Sequence, residues 1–208
     1  MGSKIKDWKN ELKKHKNLIL LSLLFLIIAI VLDYLSGIYV DKVGTIVATD
    51  LILDNIPVVN LNFIFVYLFV LVIAIGILYA LFFKVRMLHK VIAQGSLLVA
   101  IRSIFICFTH LKTPSDALLT HFPGILSSLS FHNDLFFSAH TAIPFLGFLI
   151  YKDENKRLAY FFLVCSIILA ITVLLMHVHY SIDVFSAFFI TYGSYKIGEW
   201  LFRKINHY

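Results

Sequence analysis

LNFIFVYLFVLVIAIGILYALFF, residues 61–83, carries no charged side chain from end to end. As a helix it would rise about 34 Å, enough to cross a hydrocarbon core of about 30 Å. Five more apolar stretches of spanning length lie on either side of it: 18–34, 91–111, 135–151, 158–177 and 182–202. The fourth span in chain order is the shortest and the sixth the most polar. The chain has 208 residues, 60% of them hydrophobic and 14% charged. Its mean hydropathy of +0.89 lies outside the range of ordinary soluble domains. The expected fold is therefore all-α, an integral membrane bundle of six transmembrane helices.

The net charge of +6 raises the question of a nucleic-acid partner, and its distribution argues against one. Lys4, Lys6, Lys9, Lys13, Lys14 and Lys16 precede the first span. Lys84, Arg86 and Lys90 follow the second, Lys152, Lys156 and Arg157 the fourth, and Arg203 and Lys204 the sixth. All of these fall on alternate loops, hence on one side, whereas the opposite loops hold only Lys42 and Lys112. The positive-inside rule then places both termini in the cytoplasm. The basic clusters read as topology signals and contacts for anionic lipid, with no nucleic acid expected.

The first apolar run is long, ends in Asp33-Tyr34 and lacks a small-x-small site, so a cleaved signal peptide is not expected. Cys107 and Cys165 both fall inside spans and are expected to be free thiols. No Gly-rich phosphate-binding loop occurs, so a phosphoryl group must arrive on the substrate itself. Between the first two spans, Asp50 and Asp54 share one helical face, with Ile46, Val47 and Leu51 on another. That pattern predicts an interfacial helix whose acids face solvent.

The candidate chemistry lies in Ser138-Ala139-His140-Thr141 and in His179-Tyr180-Ser181-Ile182-Asp183. Histidine and aspartate four apart share one face of a helix, so the carboxylate can accept from one imidazole nitrogen and leave the other free to attack. His140, on a different span, would protonate a leaving group. Topology from charge alone puts His140, His179 and Asp183 at one membrane face. Ionisable residues inside a membrane are costly enough to be read as functional. This constellation suits a membrane enzyme acting on phosphate esters. Arg102 lies deep in the third span, and a guanidinium fork there suits phosphate oxygens or a structural ion pair. Ser138, Tyr180 and Lys112 are further candidates for phosphate contact. Pro144 removes the helical bond to the His140 carbonyl, so a loosened helix is expected at the proposed acid.

A rival reading rests on His110, His121, His132, His140, His177 and His179, with Asp134 and Asp183, as a metal-binding membrane protein. HxxxH and HExxH spacings are absent, and neither a metal nor another cofactor is expected.

These motifs resemble the second and third signatures of the type 2 phosphatidate phosphatase superfamily, and most closely its sphingomyelin synthase branch. The matching runs are Asp134-Leu-Phe-Phe-Ser138-Ala139-His140-Thr141 and His177-Val178-His179-Tyr180-Ser181-Ile182-Asp183-Val184. Arg102, Thr109, Leu111 and Pro114 follow another of its patterns, and Asp50 with Asp54 a further one. The resemblance implies a six-span catalytic domain over 18–208 behind a basic cytoplasmic segment, 1–17. It implies His179 as nucleophile, Asp183 as its orienting carboxylate and His140 as the second catalytic histidine. Transfer of a phospho-head group to ceramide or diacylglycerol at the extracytoplasmic face is the implied activity, with hydrolysis by water as the alternative. Ala139 replaces a glycine of the branch, Lys112 a proline and Gly193 an arginine, and the wider family's Lys-x6-Arg-Pro motif is missing. Phosphate recognition must then rest on other groups.

Overall fold

A charge-free segment in lipid has no water to satisfy its backbone, so it closes its own hydrogen bonds as a helix. The computed structural model describes residues 2–43, 46–118, 120, 122 and 133–205. Its helices are α1 (Gly2–Val43), α2 (Phe69–Phe83), α3 (Val85–Phe108), α4 (Ala139–Tyr151), α5 (Lys156–Leu175) and α6 (Ser181–Ile205). A π-helical turn, Ile64–Leu68, leads into α2. Among the described residues there is no strand, only an isolated bridge between Ile46 and Leu111.

Among the described residues, four helical segments are long and apolar enough to cross a membrane: Lys6–Val43, Ile64–Phe83, Val85–Phe108 and Lys156–Leu175. The last helix, α6, has the length (25 residues) but carries Lys196 and Glu199. The shortest, α4, has 13 residues and starts four positions later than the expected span. Non-helical backbone precedes it, which lipid tolerates only where protein surrounds the chain. That condition is met, since Leu135 and Phe137 are buried.

The basic N-terminal segment continues into the first span as one helix. Trp8 Nε1 donates to the Leu81 carbonyl at 2.8 Å, and α1 lies along α3. Its other face exposes Leu21, Leu24, Ile27 and Val31, as a lipid-facing helix would. At the centre, α4 packs against α5 and α6, with a side contact to α2. Gly147 makes the approach to α5 possible, because an added Cβ would stand 2.8 Å from the Phe162 ring. At the basic end, Glu154 pairs with Lys84 and Arg86, and Asn155 caps α5 by accepting the Leu158 N–H at 3.2 Å. Both cysteines are free.

The segment after α1 differs from expectation. Among its described residues only the single turn Leu53–Asn55 is helical, and Asp50 is turned inward and buried. Its carboxylate has partners inside the protein, which an interfacial helix could not give it.

Candidate active site

Helix α5 ends in a Schellman motif. The His177 N–H donates to the Leu174 carbonyl at 2.9 Å and the Val178 N–H to the Val173 carbonyl at 3.2 Å. His177 takes the left-handed position at φ 54°, usually a glycine's place. The chain reverses there and re-enters as α6 at Ser181. Asp183, in the first turn of α6, accepts the Tyr180 N–H on Oδ2 at 3.0 Å, as the acidic member of a capping box does. The same oxygen lies 3.3 Å from His179 Nδ1. His179 thus precedes the helix. The expected pairing is made, but across a helix start and not along one helical face, because the capping geometry swings the carboxylate back. Asp183 Oδ1 is buried and without a hydrogen-bond partner among the described residues.

A further first-turn donor of this helix end, the Ser181 N–H, goes to Asp50 Oδ2 at 2.6 Å. Asp50 Oδ1 accepts the N–H groups of Ile52 and Leu53. Burial pushes the Asp50 carboxyl up, but the donors on Ser181, Leu53 and Ile52 outweigh it and hold it below the usual carboxylate range.

The second motif docks on the first. The Ser138 N–H donates to the Asp183 carbonyl at 3.1 Å, so the start of α4 is tied to the start of α6. The first helical bond of α4 runs from the Ala142 N–H to the Ser138 carbonyl. The N–H groups of Ala139, His140 and Thr141 precede that bond and form the electropositive helix end. Ser138 Oγ, Thr141 Oγ1 and His140 Nε2 are buried without hydrogen-bond partners among the described residues. The His140 ring is stacked between Phe65 and Phe69, with centroids 3.8 and 4.1 Å away, and Phe122 stands at 6.0 Å. These rings fix its plane and keep water from its faces. Pro144 lies inside α4, where it leaves the His140 carbonyl without its helical donor.

Arg102 reaches the same region from α3, but its guanidinium is taken up by protein. It contacts Asp134, Asp33 and the Phe137 carbonyl, and not Asp183. The Tyr180 hydroxyl is likewise occupied. It donates to the Lys112 carbonyl at 2.8 Å and accepts the Ala48 N–H at 3.1 Å, pinning both outer loops to the turn. Burial, with Asp183 and Asp50 nearby, pushes this hydroxyl up, so it remains a donor at neutral pH. The Lys112 side chain is exposed.

A cavity of about 470 Å³ opens beside the turn, lined in part by Asp50, Asp54, Asp116, His177 and Tyr180. Neither His140, His179 nor Asp183 is among its lining residues. His177 Nδ1 lies 2.8 Å from the Asp116 carboxylate, and His110 Nε2 is 3.1 Å from the Tyr39 hydroxyl. His121 and His132 lie outside the described residues. Among the described residues no group of three or more His, Cys, Asp or Glu is arranged to hold a metal.

Several neighbours of the site were not legible as such. Asp33 carried one usable signal, an acid inside an apolar span, which implies a buried partner. Phe65 and Phe69 carried none, because an aromatic in a lipid-facing run looks the same whether it meets lipid or an imidazole.

Residues 133–199, which include both histidine motifs, match the family model described as PAP2 superfamily C-terminal. No curated protein matches the chain. Over these residues the chain is similar to that family, and four of the described helices are long and apolar enough to cross a membrane.

Proposed function

We propose that the protein transfers a phospho-head group from a phospholipid to a lipid alcohol such as ceramide or diacylglycerol, in the manner of sphingomyelin synthases, at the extracytoplasmic face. The observation that carries this reading is the Ser138 N–H bond to the Asp183 carbonyl, which joins the two histidine motifs into one site.

His179 is the nucleophile. Its Nδ1 faces Asp183, which leaves Nε2 to attack phosphorus, and the carboxylate stabilises the positive charge that builds on the ring. As the N–P bond forms and the P–O bond breaks, the departing alkoxide takes a proton from His140. His140, now neutral, removes the proton of the acceptor hydroxyl. The new O–P bond then forms, the N–P bond breaks and His179 is restored. Developing charge on the non-bridging oxygens is met by the amide end of α4 and the Ser138 hydroxyl, with Lys112 available from the loop. Transfer is preferred over hydrolysis because the two histidine motifs resemble the sphingomyelin synthase branch most closely.

The test is purified protein given head-group-labelled phospholipids with ceramide or diacylglycerol. Labelled product lipid is the expected result. Release of water-soluble label alone would replace transfer by hydrolysis. His179→Ala should lose all acid-labile, alkali-stable protein label, and retention of that label would remove His179 as nucleophile.

A further inference from the structure

A guanidinium has five N–H donors in a fixed fork. Arg102 makes four hydrogen bonds and one further ion-pair contact, all to protein. Nε donates to the Phe137 carbonyl at 2.9 Å. Nη1 donates to the Asp134 carboxylate at 2.9 Å and reaches Asp33 at 3.4 Å. Nη2 donates to the Asp134 carbonyl at 3.2 Å and lies 2.7 Å from its carboxylate. The side chain is 7% exposed, and the two carboxylates leave no net positive charge to draw a phosphoryl group.

Four of these contacts fall on Asp134 and Phe137, the ends of the non-helical stretch that delivers the chain to α4. Phe137 is followed by Ser138, whose N–H is fixed on the Asp183 carbonyl, and His140 is two residues further. The fifth contact anchors the fork to Asp33 on α1. Without it, a stretch with no secondary structure of its own would set the direction of the α4 start and of the His140 ring.

We infer that Arg102 is a positioning residue that contacts no phosphate: by clamping Asp134 and Phe137 it aims His140 at the leaving-group oxygen. Asp33 and Asp134 complete the clamp. This rests on the acid–base role of His140 proposed above.

The consequence is specific. A displaced acid slows the departure of a poor leaving group far more than that of a good one, which leaves without protonation. The first-turnover release of leaving group is therefore compared for two pairs of probes. One pair is dioctanoyl phosphatidic acid and p-nitrophenyl phosphate. The other is dioctanoyl phosphatidylcholine and p-nitrophenyl phosphorylcholine. The ratio of lipid to aryl rate is taken on one preparation, so the fraction of correctly folded protein cancels.

His140→Ala sets the full size of the effect. Arg102→Lys, which keeps the charge and loses the fork, and Asp134→Asn should each lower the ratio at least tenfold in the same direction. An unchanged ratio in both variants would make Arg102 merely structural and overturn the proposal. Equal loss on both probes with a raised KM would make it a phosphate ligand, which also overturns it. So would a folded Arg102→Lys inactive on both probes, if Asp134→Asn leaves the ratio unchanged. An unchanged ratio in His140→Ala would instead refute the acid role itself.

Discussion

Asp183→Asn tests the His179 site with least disturbance to the fold. The carboxylate is fully buried, its Oδ2 lies 3.3 Å from His179 Nδ1, and it accepts the Tyr180 N–H at 3.0 Å. Positive charge develops on the ring as Nε2 attacks. At that separation and an effective dielectric of about 20, a unit charge is worth about 5 kcal/mol. Asparagine keeps an acceptor for the Tyr180 N–H, so the start of α6 stays capped. Its amide dipole recovers part of the lost stabilisation, leaving a deficit of about 3–4 kcal/mol, or about 10²–10³-fold in rate. The assay is rapid quenching with head-group-labelled phospholipid, counting acid-labile, alkali-stable label on the protein in the first turnover. Label should form slower by that factor, with thermal unfolding in detergent little changed. A slowing of less than about fivefold would refute the assignment of Asp183 as the group that supports charge on His179.

Three further outcomes follow from the same structure. Single cysteines at Ser115 and Lys156, in a background without Cys107 and Cys165, should label from opposite sides of sealed vesicles, because the basic residues cluster on alternate loops; labelling from one side would sink the proposed topology. Activity should survive exhaustive chelation if imidazoles carry the proton transfers, and loss restored by zinc or manganese would favour the metal-binding rival. Asp50→Asn should destabilise the protein at pH 7 by about 1–2 kcal/mol, since it weakens the bonds to Ser181, Ile52 and Leu53 at the head of α6. Because the folded-state carboxyl is held below its unfolded value of about 3.9, this contribution is complete above that pH and is lost as pH falls through the folded value. The gap between wild type and variant in thermal unfolding should therefore close in acid, and a gap that persists at low pH would show that charge on Asp50 contributes nothing.

By itself the sequence determined the helical bundle. Lipid leaves a charge-free run such as residues 61–83 no alternative to a helix, so length and hydropathy suffice. The boundaries shifted, most of all in α1. α4 lost its first turn to non-helical backbone, and α1 extended through the basic segment to Gly2. The pairing of His179 with Asp183 was legible because it is a local contact, four residues apart, although its geometry was not. The tertiary structure decided what lies far apart in the chain. Ser181 meets Asp50 across 131 positions and Arg102 meets Asp33 across 69. Asp50 read as a solvated acid and Arg102 as either a phosphate ligand or half of an ion pair, because a sequence records which groups are charged and not where their partners come to lie. Those partners are selected by helix packing, which brings carboxylate, guanidinium and imidazole together only once α1, α3, α4 and α6 are in place. A buried charge must then be satisfied by whatever that packing supplies.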